Sequence, residues 1–246
     1  MIRFDANCVL GRWPDGGPTL DDADQMLAAM DRLHISKALV RHTLGGQYDV
    51  AYGNALLTQQ IADRERLLPC WAALPAITGE TGPSQEWLDS LAKNNVRAVC
   101  LYPASHGYPL AGWQCDALLA PLAERRYLLL LESAEIDWEG LHWLCESYAQ
   151  LRVVLMNLGY RVLRPIYALL DVHPNLHLDI STLSSFMGIE ALGARFGAER
   201  LLFGTGQPRN EGASTVAALN YAAMDGALVQ AIASGNLESL LGEVQL

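Results

Sequence analysis

Lysine is nearly missing from this chain. Only Lys37 and Lys93 stand among seventeen basic residues, set against twenty-seven acidic ones and a net charge of −10. Such a balance argues against nucleic acid or an anionic membrane as a partner. No apolar run approaches the ~18 residues of a membrane-spanning helix, and the N-terminus has no basic segment followed by an apolar one, so a soluble cytoplasmic protein is expected. The five cysteines are odd in number and include no Cys-x-x-Cys pair, so neither a disulfide framework nor a zinc knuckle is suggested. Cys8, Cys70 and Cys100 fall in or beside apolar runs and read as small buried thiols. No internal repeat, low-complexity stretch or linker interrupts the sequence, and one domain is expected over residues 1–246.

What is present is a regular alternation. Eight short apolar runs read as strands: Ile2–Cys8, Ala38–Val40, Leu67–Leu74, Arg97–Leu101, Leu128–Leu131, Val153–Met156, Leu176–Ile180 and Leu201–Phe203. The last, Leu201–Phe203, is too short and too apolar for anything but a strand covered on both faces. Between them lie amphipathic or capped stretches that read as helices. The first begins after Thr19, a candidate N-cap, with Asp21, Asp22 and Asp24 in its opening turn. Others span Asn54–Arg64, Pro83–Lys93, Asp116–Arg126, Ile136–Ala149, Arg161–Val172 and Phe186–Phe196, with a helical tail over Thr215–Met224 and Ala227–Leu241. Leu44–Gly53 reads as a loop. Eight β–α units of about thirty residues imply a parallel sheet closed into a (β/α)8 TIM barrel, with a doubly wound open sheet as the alternative.

In such a barrel the ends of the strands carry the chemistry. The polar residues there are Asn7, Arg41 or His42, Tyr102, Glu132, Asn157, Asp179, Gln207 and Arg209, with His106 in the loop after strand four. Glu132 follows four leucines. Either its carboxylate is desolvated and acts as acid or base, or it pairs with an arginine such as Arg41 or Arg97. Asp179 is a second candidate carboxylate, or else a hydrogen-bond acceptor for neighbouring amides. Asn7 and Asn157 can bond a substrate carbonyl or each other. Arg209 can clamp a carboxylate through two parallel bonds. Trp13 and Trp113 lie in loops expected at the mouth.

The motif Arg200-Leu201-Leu202-Phe203-Gly204-Thr205-Gly206-Gln207-Pro208 resembles the strand-eight signature of the amidohydrolase-related, metal-dependent hydrolases, which are TIM barrels. Phe4-Asp5-Ala6-Asn7-Cys8-Val9-Leu10-Gly11 resembles the family's first strand. Leu68–Pro75, Val96–Pro103, Val153–Gly159, Asn175–Asp179 and Ile232–Gly242 resemble its third, fourth, sixth and seventh strands and its closing helix. The resemblance covers nearly the whole chain. It implies a (β/α)8 barrel, a small-molecule substrate, a hydrolytic activity and a homodimer.

It also implies a divalent metal, held by two strand-one histidines, one each from strands five and six, and a strand-eight aspartate. Here those positions hold Asn7, Val9, Glu132, Asn157 and Gly206. Val9 and Gly206 offer no ligand, and amide oxygens suit calcium better than zinc. The expectation is therefore a degenerate site with no metal cofactor. It would act on a small ester, lactone or amide through Glu132 and Asp179, with Asn7, His42, Tyr102, His106, Asn157, Gln207 and Arg209 binding substrate. The alternatives are an inactive barrel serving as a binder or partner subunit, and a metal recruited by Glu132, Asp179 and His106.

Overall fold

The computed structural model describes residues 1–80, 85–159 and 161–246. Eight parallel strands run in the order β1 to β8: Phe4–Leu10, Lys37–His42, Leu67–Ala72, Ala98–Leu101, Leu128–Glu132, Arg152–Met156, Leu176–Asp179 and Leu201–Leu202. Each neighbour pairs in parallel with the next, and helices lie between successive strands. This is a (β/α)8 barrel.

The seam between β8 and β1 is closed by few bonds. Ala6 N–H donates to Phe203 O at 2.9 Å, Gly206 N–H to Asn7 O at 2.9 Å and Val9 N–H to Gln207 O at 3.0 Å. A β-bulge between Asp5 and Cys8 shifts the register against β2. The Asp5 carboxylate fills the gap. It accepts from the backbone N–H of Asn7 and Thr205, both at 2.9 Å, and from Thr205 Oγ1 at 2.5 Å.

Strand side chains alternate between two apolar layers. Phe4, Leu39, Cys70, Cys100, Leu128, Leu130, Val154, Met156 and Leu202 fill the barrel together with Leu237, Leu240 and Leu241 of the last helix. Val40, Val99, Leu129, Leu131, Val153, Leu155 and Leu178 join the outer layer with helix residues such as Met26, Met30, Leu118, Leu122, Leu144 and Ile166. Burial on both faces is why the strands read as unbroken apolar runs.

The helices α1 to α11 span Ala23–Arg32, Thr43–Gln47, Val50–Gln60, Gln85–Lys93, Gly112–Glu124, Trp138–Ser147, Leu163–Val172, Gly188–Phe196, Gly212–Asn220, Gly226–Gln230 and Asn236–Gly242. Three local expectations shift. Asp22, not Thr19, caps α1 by accepting from Gln25 N–H. The stretch expected as a loop after strand two instead forms α2 and the first turn of α3, since His42 and Asp49 supply side-chain caps. Trp113 lies in the first turn of α5 and is exposed. The helix start expected at Pro83 lies outside the described residues. Among the described residues no helix is long and apolar enough to cross a membrane.

Candidate functional site

The C-terminal ends of β1, β2, β5 and β6 converge with the segment after β8 on a hollow of about 360 Å³. Its polar lining includes Asn7, Arg41, Glu132, Asn157, Gln207, Arg209 and Asn210, and its apolar lining Val9, Trp13 and Pro208. Sequence left Arg41 and His42 as alternatives at the end of β2. The two point to opposite faces of the strand, and it is Arg41 that enters the mouth.

Arg41 is 2% exposed and is the hub of the site. Its Nη1 donates to Glu132 Oε1 at 2.7 Å and to Tyr102 Oη at 3.3 Å, and its Nη2 donates to Asn7 Oδ1 at 2.6 Å. Burial works against its charge, but the acidic groups of Tyr102, Glu132 and Cys100 outweigh it and hold the guanidinium above its ordinary value. Of the two readings of Glu132, the ion pair with Arg41 is present, while the second oxygen, Oε2, accepts no bond among the described residues. The Glu132 side chain keeps 24% of its exposure.

Asp179 is wholly buried, and burial raises its pKa against the hydrogen bonds that favour the anion. Its Oδ2 accepts from Asn7 Nδ2 at 2.7 Å, and its Oδ1 from Ser181 Oγ at 2.7 Å and Ser181 N–H at 3.1 Å. It is a saturated anchor beneath the hollow and does not line it. Gly204 passes directly over it, and a Cβ there would collide with Asp179 Oδ2.

Asn7 and Asn157 bond each other as well as their neighbours. Asn157 Oδ1 accepts from Asn7 Nδ2 at 3.2 Å and Asn210 Nδ2 at 3.4 Å, and lies 3.3 Å from Ser181 Oγ, whose one hydrogen goes to Asp179. Asn157 sits in the left-handed region at φ 55°, a conformation asparagine tolerates, and Ser133 Oγ donates to its carbonyl at 2.7 Å. Asn210 was missed in the sequence. The signal for it lies in Gly206, whose φ of 69° lets the chain turn back so that Asn210 lies across it; a Cβ at Gly206 would overlap Asn210 Nδ2.

The other expected residues divide. Gln207 lines the hollow. Arg209 also lines it, but its guanidinium is already held by Asp15 at 2.7 Å and stacks over Trp13 at 4.2 Å. Tyr102 is buried behind Arg41 as its hydrogen-bond acceptor. His42 accepts from Leu44 N–H through Nδ1 at 3.1 Å and caps α2. His106 packs edge-on against Tyr102 at 5.6 Å and lines a different hollow of about 470 Å³ with Tyr48, Leu74 and Tyr108. Burial lowers the pKa of both histidines. The metal set Glu132, Asp179 and His106 therefore does not gather, and among the described residues no three His, Cys, Asp or Glu side chains do.

No family model and no curated protein matches this sequence. Solved structures do match it in fold. An uncharacterised TIM-barrel protein from Bordetella bronchiseptica superposes with a TM-score of 0.77 at 16% identity, over 99% of both chains. The 2,6-dihydroxybenzoate decarboxylase from Rhizobium does so with a TM-score of 0.76 at 13% identity, over 98% of this chain and 99% of that one. A 5-carboxyvanillate decarboxylase from Novosphingobium aromaticivorans, in complex with manganese and 4-hydroxy-3-methoxy-5-nitrobenzoic acid, gives 0.77 at 12% identity, over 98% and 96%. At these identities the likeness is one of fold, and the barrel expected from the sequence is the barrel these proteins share. The manganese in the last structure overturns the expectation of no metal cofactor, since a barrel of this fold holds a divalent metal.

Proposed function

We propose that the hollow around Arg41 is the active site of an amidohydrolase-related hydrolase acting on a small ester, lactone or amide, with Glu132 as the acid and base. The observation that carries this reading is the state of Glu132. One of its oxygens is pinned by a buried guanidinium and the other is open to a hollow at the functional end of a (β/α)8 barrel. Pinning one oxygen fixes the direction of the other without restraints on the substrate side.

In this reading a water beside the bound substrate gives its proton to Glu132 Oε2 as its oxygen attacks the carbonyl carbon. The same proton then passes to the leaving nitrogen or oxygen as the old bond breaks. The amide N–H groups of Asn157 face the negative charge that develops on the carbonyl oxygen. Asp179 serves this site as a positioning residue: it fixes Asn7, which fixes Arg41, which fixes Glu132.

The decarboxylase of the same fold holds manganese. The side chains as they stand do not assemble a ligand set for it. The oxygens of Asp179 are occupied by donors, and Arg41 already bridges Asn7 and Glu132. Elemental analysis after dialysis against manganese, with a melting curve in manganese and in chelator, reads manganese uptake directly.

The activity test is a screen of small esters, lactones and amides with the wild type and Glu132→Gln, in chelator and in manganese. Turnover should fall at least about a hundredfold in the variant. Equal turnover in the two proteins overturns the assignment of Glu132. The second reading, a barrel that binds without turning over, is favoured by the saturation of Asp179 and is what remains if no substrate is consumed.

A further inference from the structure

The hydrogen bonds inside the hollow also specify what kind of edge its ligand presents, an inference that rests on the reading above. Asn157 spends its oxygen on two donors, Asn7 Nδ2 and Asn210 Nδ2. That fixes which way its amide faces and leaves both Nδ2 hydrogens without an acceptor among the described residues. Glu132 spends Oε1 on Arg41 and leaves Oε2 free. The two residues sit side by side at the ends of adjacent strands, because Glu132 pairs with Met156 in the β5–β6 register and Asn157 follows directly. Both are partly exposed and both line the hollow. An outward donor therefore stands beside an outward acceptor. An ester or lactone carbonyl satisfies the donor alone and leaves a carboxylate oxygen facing an apolar or lone-pair-bearing atom.

We propose that the site selects a ligand with a carbonyl and an N–H side by side, such as a lactam or another amide with its N–H and C=O on one edge, over esters and lactones. The carbonyl accepts from Asn157 Nδ2 and the N–H donates to Glu132 Oε2. Unpaired polar atoms in a partly closed site cost more than paired ones give, so the discrimination comes from what the ester leaves unmade.

The test is a calorimetric or ligand-observed NMR titration of δ-valerolactam and of cyclohexanone, which replaces the N–H with a methylene at nearly the same size and cannot be hydrolysed. The lactam should bind at least about tenfold more tightly. Glu132→Gln, which turns the open oxygen into a donor or an averaged amide, should bring the two affinities within about threefold of each other. Asn157→Gly tolerates the positive φ and should weaken both ligands; a melting curve checks that it is folded. Equal or tighter binding of cyclohexanone, a preference that survives Glu132→Gln, or no binding of either ligand by the folded wild type overturns the proposal. Lactam preference without any turnover in the substrate screen overturns the hydrolase reading and leaves this inference standing. Ester turnover without lactam preference does the reverse.

Discussion

At the scale of single residues, Arg41 decides the character of the mouth. A guanidinium at 2% exposure is stable only because three acceptors converge on it, and each of those acceptors is held in place by it in return. Arg41→Met fills the volume but strands the Asn7 oxygen, the Tyr102 hydroxyl and the Glu132 charge. It should cost about 2–4 kcal/mol, measured as a shift in the urea midpoint. Arg41→Lys keeps the charge but cannot reach Asn7 and Glu132 together from one planar fork, so it should recover stability only in part and should not restore the open geometry of Glu132. Glu132→Gln is milder, because an amide oxygen still accepts from Arg41. A loss of about 1 kcal/mol is expected from thermal or urea unfolding, set beside the large loss in turnover.

At the scale of elements, β8 and the turn after it hold the barrel and the site together. The strand is two residues long, and its role continues in Phe203 to Gln207, which complete the seam with β1. Two glycines here have no substitute. Gly204 leaves room for Asp179, and Gly206 takes a positive φ while Asn210 lies over it. Gly204→Ala should destabilise by about 2 kcal/mol or more in urea unfolding, since the methyl meets a buried carboxylate that is bonded on every side. Gly206→Asp should lower stability as well. The side chain must displace Asn210, and the positive φ of 69° suits glycine better than a residue with a Cβ. The loops that follow β1 and β8 are joined by the Asp15–Arg209 pair and the stacking on Trp13, so the wall of the hollow is shared between the two ends of the sequence.

At the scale of the molecule, closure depends on a buried acid. Desolvation outweighs the three hydrogen bonds to Asp5 and pushes its pKa from 3.8 up to about 6. Between those two values the native protein holds a proton that the unfolded chain has released. The contribution is therefore fully present below about pH 4 and is lost as pH rises through about 6. His177, lowered to about 4 by burial, acts with the opposite sign, so the pH profile of the wild type alone does not isolate Asp5. The difference between wild type and Asp5→Asn does. Wild type should gain up to roughly 3 kcal/mol relative to the variant as pH falls from 7 to 4, read from paired urea titrations. A flat difference would mean that the hydrogen bonds from Asn7 and Thr205 fully offset burial.

The sequence alone determined the barrel, because eight apolar runs at even spacing can be buried on both faces in few other ways. It also placed Asn7, Glu132, Asn157, Gln207 and Arg209 at one end, because polar residues that end buried strands have nowhere else to go. Which of these act together was decided only by tertiary structure. Arg41 and His42 are adjacent letters, yet the pleat sends one into the mouth and the other to cap a helix. His106 follows a strand as the others do, but its loop turns it toward a second hollow. Arg209 looks like a free clamp until Asp15, from the far end of the chain, is seen to hold it. Asn210 has no strand to mark it, and enters the site only because Gly206 lets the backbone turn. Periodicity records which face of an element is buried; the partner that a polar side chain meets there depends on contacts between residues far apart in sequence, and those exist only once the barrel is closed.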